Sequence, residues 1–273
     1  MIPFAEFWKA TRTLMTLSTS DIEEFVAKGF VRVDEAVAPE LVAECCSILW
    51  QATGCDPALP ATWTRSVVRI GELSLPCFRD AANSKPLVEA YDQLVGPGRW
   101  IPRGGLGTFP IRFPSSEDPG DTGWHVDASF AYDHPDFMEW RVNIVSRGRA
   151  LLMLFLLSDV GREDAPTRIR IGSHRDIAKA LAPAGDAGLS LRDLASRGFG
   201  GSDKREEALA SGPAGTVYLC HPFLVHAAQP HRGHRPRFLA QPPLLAHEPL
   251  RLDRSEGEYS PVERAIVDAL ASD

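Results

Sequence analysis

The chain has 273 residues, 44% of them hydrophobic, and a formal net charge of −7. That is enough apolar material for a full core in a single domain spanning 1–273, and the acidic balance argues against a nucleic-acid or anionic-membrane partner, since both reward a basic face. Five cysteines (Cys45, Cys46, Cys55, Cys77, Cys220), odd in number and without Cys-x-x-Cys spacing, give neither a disulfide framework nor a zinc knuckle, so a reduced, cytoplasmic setting and a small-molecule partner are expected.

Residues 1–17 carry Phe4, Phe7, Trp8, Leu14 and Leu17 at near-helical spacing, which predicts a short amphipathic helix; the basic start and long apolar core of an export signal are missing. Ser20-Asp21-Ile22-Glu23 is a candidate capping box for a helix running to Lys28 and ended by Gly29. Phe30–Val33 alternates as a short strand should. Pro39 then opens a helix with Leu41, Val42, Cys45, Ile48 and Leu49 as its buried stripe. Residues 1–60 thus read as a helical opening module packed on the rest. Irregular structure around a strand at Ser66–Ile70 is expected from Thr53 to Pro86, followed by a helix from Pro86 to Leu94.

Trp100 to Phe113 alternates as a barrel strand with one polar-capable face, which places Thr108 and Arg112 to share a cavity with the next segment, Thr122-Gly123-Trp124-His125-Val126-Asp127. In a strand, alternate side chains share a face, so His125 and Asp127 point the same way and can hold one metal ion together. A second histidine would complete the two-histidine, one-carboxylate set that leaves positions of an iron open for a cosubstrate and oxygen. The pattern recurs at His134-Pro135-Asp136, but proline suits a loop or edge better than a central strand. Phe130, Tyr132, Phe137, Met138 and Trp140 form an aromatic stretch interrupted by proline and aspartate, which is either a loop pinned by its rings or a cover that touches substrate.

Ala150–Leu157 is an uninterrupted apolar strand, buried on both faces and far short of the roughly 20 residues of a membrane-spanning helix. Arg168–Ile171 alternates and runs into Gly172-Ser173-His174-Arg175. From Leu181 the composition shifts to glycine, alanine, serine and charge, so residues 181–214 are expected to be a mobile insertion, either a cover for the site or a plain solvent-exposed excursion. Gly215–His226 reads as two short strands pinched at Pro222, Arg235–Ala240 as one more strand, and a helix near Pro261–Leu270 comes last.

Taken in order, these pieces resemble the phytanoyl-CoA dioxygenase family of Fe(II)/2-oxoglutarate oxygenases over most of the chain. The resemblance rests on Ser20–Val33, Trp124–Asp127, Glu163-Asp164-Ala165-Pro166-Thr167, Gly172–Arg175, His226-Ala227-Ala228-Gln229-Pro230 and Arg237. It implies a mostly β fold with flanking helices, built as a double-stranded β-helix (jelly-roll, cupin-like) barrel. It also implies His125, Asp127 and His226 as iron ligands and Arg237, eleven residues beyond the distal histidine, as the partner of the 2-oxoglutarate C5 carboxylate. A planar guanidinium suits a carboxylate through two parallel charge-assisted hydrogen bonds. Arg235 is the rival, facing the same side of a strand, and the family spacing selects Arg237.

The implied activity is that of a non-haem dioxygenase, which consumes O2 and 2-oxoglutarate, hydroxylates a small molecule and releases succinate and CO2. The carboxylate at Asp127, which related halogenases replace by a small residue, favours oxygenation over chlorination. Thr108 and Arg112 are candidate further cosubstrate contacts, and Trp124, Phe130 and Trp140 candidate substrate-pocket residues. The chain departs from the family pattern at Glu163–Thr167, at Ile171 before Gly-Ser-His, at His231 and near Leu152. Of the other histidines, His221 reads as packing or as a support behind the metal ligands, His174 as a structural residue holding backbone at a strand end, and His231, His234 and His247 as solvent-exposed. Two further classes stay open: a cupin-like metal enzyme that uses no 2-oxoglutarate, and a non-catalytic barrel that binds a small molecule.

Overall fold

Leu151–Leu156 is the strand on which the others are laid, and all six of its residues are buried. It pairs antiparallel with Val217–Cys220 on one side, and with Leu239–Ala240 and Pro243–Ala246 in tandem on the other. Phe30–Val33 and Trp100–Ile101 extend this to a six-stranded sheet. The computed structural model describes residues 16–254 and 258–272, so the predicted helix over residues 1–17 lies almost wholly outside the described residues.

The unbroken apolar run has a simple cause. Side chains alternate along a strand, and here each face meets its own apolar cluster. Leu152, Leu154 and Leu156 pack with Ile169, Leu224 and Leu239. Leu151, Met153 and Phe155 join the larger cluster that the helices cover, with Phe25, Leu49 and Ile266. A second sheet orders His226–Ala227, Thr167–Arg170 and Glu207–Ala210, while Val67–Ile70 pairs with Phe109–Arg112 and Arg141–Val142 with Leu189–Ser190. Two antiparallel bridges lie outside these strand pairings and bring the polar side chains of the site together: His125 opposite His226, and Arg112 opposite Arg237.

The helix Thr19–Lys28 carries the expected kind of cap two residues earlier than predicted. Ser18, not Ser20, is the cap: its hydroxyl accepts from the Asp21 amide, while Asp21 reaches back to the Ser18 amide. Aspartate closes this box where glutamate is the usual partner, and Glu23 is left to pair with Arg264. Gly29 ends the helix in the left-handed conformation (φ 85), and a Cβ there would collide with the His174 ring. His174 in turn is buried and donates from Nε2 to the Val26 carbonyl at 3.1 Å. Burial pushes its pKa down to about 3, so it stays neutral in this structural role.

Pro39–Thr53 buries Val42, Cys45 and Leu49 of the predicted stripe, while Leu41 and Ile48 are partly buried at its edge. Pro76–Ala82 is a helix inside the stretch expected to be irregular; at seven residues it is too short to show periodicity, though Cys77, Phe78, Ala81 and Ala82 are all buried. The single strand expected over Trp100–Phe113 is instead Trp100–Ile101 and Phe109–Arg112. The intervening chain turns through Gly107 at φ 71, with Pro242 against it. Gly172-Ser173-His174 opens the helix Ser173–Leu181, with the Ser173 hydroxyl accepting from the Val225 amide at 2.9 Å. The glycine-rich stretch after it carries short elements of its own, including Leu191–Ser196 and Glu207–Ala210, and buries Leu189, Leu194 and Phe199.

The last helix, Pro261–Ala271, places Glu263 in its first turn with no exposed surface. Burial acts to raise the Glu263 carboxyl, but Arg99 on its side chain, the Arg251 and Ser260 amides, and the Arg99 charge outweigh it and hold the pKa at about 2. A carboxyl depressed on folding stabilises the native state above its ordinary value of 4.5, and that contribution is lost as pH falls toward 2. Urea unfolding of Glu263→Gln between pH 7 and pH 2 is expected to show lower stability at neutral pH and a shallower acid limb than the parent. Parallel pH profiles would refute this role.

Candidate metal centre

His125, Asp127 and His226 each offer one ligand atom, and these atoms lie within 4.8 Å of one another. Backbone pairing accounts for the meeting. His125 and His226 exchange both amide-to-carbonyl hydrogen bonds at 3.0 Å, and directly opposed residues of an antiparallel pair present their side chains on one face. The two rings lie 4.2 Å apart between centroids. Asp127, two residues beyond His125, returns to the same face. The predicted alternation therefore holds, although the pairing at His125 is one bridge and not a regular strand.

The imidazoles are oriented for a metal. His125 Nδ1 lies 3.0 Å from the Gly123 carbonyl and His226 Nδ1 lies 3.1 Å from the Leu224 carbonyl. A carbonyl only accepts, so the proton sits on Nδ1 in each ring and the Nε2 lone pair is free to ligate. Burial, followed by the neighbouring His125, pushes the His226 pKa down to about 4, which keeps the ring neutral near pH 7. Burial works to raise the Asp127 carboxyl, but Arg149 and the two imidazoles prevail and hold it below its ordinary value. Arg149 Nη1 donates to Asp127 Oδ2 at 2.8 Å. Two imidazole nitrogens and one ionised carboxylate form a donor set suited to a divalent first-row ion.

His125 also borders a cavity of about 390 Å³ lined by Thr108, Arg112, Asp121, Thr167, Arg237 and Gln241. Arg112 and Arg237 are each about 1% exposed and stand opposite one another, joined by amide-to-carbonyl bonds of 3.0 and 2.8 Å. Arg237 reaches the Ala165 and Pro110 carbonyls, and Arg112 pairs with Asp121 at 2.6 Å, which Arg69 shares. The Nε atoms of both buried arginines have no partner among the described residues. Burial and then the Arg112 cation push the Arg237 guanidinium down to about 9, which still leaves it charged near neutrality. Two adjacent buried cations, of which Arg112 has the Asp121 carboxylate and Arg237 pairs with none, with spare donors at a cavity wall, are suited to an anion. Arg235, by contrast, is exposed and sits 3.7 Å from Asp159.

Trp124 and Trp140 line an apolar cavity of about 290 Å³ on the other side of the triad, together with Tyr132, Phe137, Met138 and Phe199. The Arg168 and Arg170 guanidinium carbons lie 4.6 and 4.2 Å from the Trp124 ring centre. Phe130 is not in this lining; its ring lies 5.3 Å from the Arg147 guanidinium carbon. His134-Pro135-Asp136 is an exposed turn, with Asp136 capping Phe137–Glu139 and pairing with Arg192. His221 is buried and bonded to the Val262 carbonyl, as packing requires. His231, expected in solvent, is instead 4% exposed, with Nε2 donating to the Arg235 carbonyl at 2.7 Å to close the turn before Arg237. Sequence reasoning passed over Arg149, Asp121 and Gln241. None of the three had a local signal; Arg149 shares the approach to the apolar strand with Arg147.

The chain belongs to the phytanoyl-CoA dioxygenase (PhyH) family, whose model matches residues 25–239. No curated protein sequence matches it. Among solved structures it is similar to HygX from Streptomyces hygroscopicus with nickel and 2-oxoglutarate bound, at 19% identity and TM-score 0.55, over 89% of this chain and 96% of that one. It is similar as well to SnoN, a non-haem α-ketoglutarate-dependent epimerase from nogalamycin biosynthesis, at 15% identity and TM-score 0.56, over 84% and 81%. EctD from S. alaskensis, in its apo form, aligns at 20% identity and TM-score 0.51 over 86% and 78%. At these identities the likeness is one of fold: a mixed arrangement of strands and helices shared with 2-oxoglutarate-dependent enzymes. No helix among the described residues is long and apolar enough to cross a membrane.

Proposed function

We propose that the chain is a cytoplasmic, single-domain Fe(II)- and 2-oxoglutarate-dependent dioxygenase that hydroxylates a small molecule and releases succinate and CO2. The observation that carries this reading is the adjacency of two features: the His125, Asp127, His226 cluster and the cavity of buried, undercompensated arginines that His125 also borders. The six-stranded and three-stranded sheets are read as the walls of a double-stranded β-helix, with the site at one end of the space between them. The family and the nickel- and 2-oxoglutarate-bound relative support the same chemistry.

His125, Asp127 and His226 hold the iron, with Gly123 and Leu224 fixing the imidazole tautomers and Arg149 fixing the carboxylate. Bound iron supplies the redox chemistry, through which one atom of O2 enters the substrate and the other enters succinate. Arg237, supported by Arg112 and Thr108, binds the distal carboxylate of 2-oxoglutarate and so sets which end faces the triad. Trp124 and Trp140 wall the substrate side and exclude water, while Phe130 lies outside that lining.

The test is an anaerobic titration with Fe(II) and then 2-oxoglutarate, followed by admission of air and measurement of succinate. Saturable binding of both and substrate-uncoupled succinate are expected. Metal binding with no response to 2-oxoglutarate would point to a cupin-like enzyme of other chemistry, and no metal binding to a small-molecule-binding barrel.

A further inference from the structure

We propose that Arg149 anchors a carboxylate on the substrate, so that the molecule this enzyme oxidises is a compact acid with a one- or two-ring apolar body. The inference rests on the oxygenase reading and adds the substrate class to it. Arg149 lines both the triad cavity, of about 360 Å³, and the aromatic cavity, and its side chain is 13% exposed. Of the five donors a guanidinium carries, one bond is made among the described residues, to Asp127, and Nε is buried there without a partner. A guanidinium that borders two cavities with one donor engaged, and whose Nε is buried without a partner, marks a place for an acceptor.

The aromatic cavity names the rest of the ligand. Apart from the triad residues His125 and Asp127, Arg149 is the one charged side chain in its lining among the described residues; the other walls include Trp124, Phe137, Met138, Trp140, Leu191 and Phe199. Its volume of about 290 Å³ is at the low end of the about 300–1,000 Å³ of small-molecule sites, which suits a ring and not a long acyl chain. Charge then couples the two bindings. Without a metal, Asp127 is the counter-ion of Arg149 and would repel a second carboxylate. A divalent cation on the triad neutralises Asp127 and leaves the Arg149 charge for the substrate, so an acidic substrate binds after the metal.

The experiment uses protein loaded with saturating Ni(II) and 2-oxoglutarate, and reads binding of 3-phenylpropionate and benzoate, each against its primary amide, by tryptophan fluorescence. The acids are expected to bind at least about tenfold more tightly than the amides, the scale of one charge-assisted hydrogen bond. The preference is expected to collapse when metal is omitted. With full Ni(II) occupancy verified for each variant, it should vanish in Arg149→Gln and persist in part in Arg149→Lys. Equal binding of acid and amide to the metal-loaded parent, no saturable binding by either, or a preference surviving Arg149→Gln would overturn the anchor. Failure of Ni(II) to bind at all, read in a separate titration, would instead overturn the oxygenase reading beneath it.

Discussion

Asp127→Ala is expected to weaken divalent-metal binding by more than about 100-fold, because even the loss of an outer-shell partner costs about 10–100-fold and Asp127 is placed as a direct ligand. Succinate formation from 2-oxoglutarate should fall to background in the same protein. The fold should survive, since Asp127 is partly exposed and sits at a cavity wall, and its removal frees Arg149 to water. Anaerobic calorimetric titration with Fe(II), a thermal melt, and succinate measured after exposure to air check the three statements together. Near-normal metal affinity in this variant would remove the triad from the site.

Arg237→Gln should leave metal binding intact and raise the 2-oxoglutarate requirement. Removing one partner of a buried, hydrogen-bonded charge pair costs about 3–5 kcal/mol, which is a rise of about two to four orders of magnitude in the apparent KM. Lysine should not rescue it, because a point charge on a flexible stem does not reproduce a planar fork. Stability gives an independent signature. Arg237 lies buried beside a second cation, Arg112, so its neutralisation should leave the melting temperature unchanged or raised in protein free of 2-oxoglutarate. A KM for 2-oxoglutarate within about threefold of the parent would rule out the assignment.

The parts of the fold legible in the sequence were those with a strong local cause. Leu151–Leu156 announced itself by composition, Gly29 by its place after an amphipathic turn, and Pro39 and Pro261 by the missing amide that suits a helix start. What stayed hidden depends on contacts between distant segments. The helix Pro76–Ala82 is too short to advertise a period, and Trp100–Phe113 alternates in sequence but is broken by a turn that packs on Pro242. His231 is polar and lies in a turn, so nothing local says that it folds inward to hold the Arg235 carbonyl.

At the site the same division applies. His125 and Asp127 were visible because they are neighbours on one strand-like segment, whereas the place of His226 and Arg237 needed family spacing. Arg149 and Asp121 carry no motif: their roles exist only once Asp127 and Arg112 are brought to them from 22 and 9 residues away.

The two bridges, histidine against histidine and arginine against arginine, make aim a matter of chain registration. A strand that slips by one residue turns every side chain to the opposite face. A one-residue slip of the segment holding Arg237 would set Pro236 or Phe238 against Arg112 and swing the guanidinium out of the cavity. The connecting loop, residues 228–236, is part of that registration, since His231 within it folds inward and holds the Arg235 carbonyl just ahead of Arg237. For anyone grafting this site onto another scaffold, the two facing pairs are the unit to transplant, ahead of the ligands taken singly.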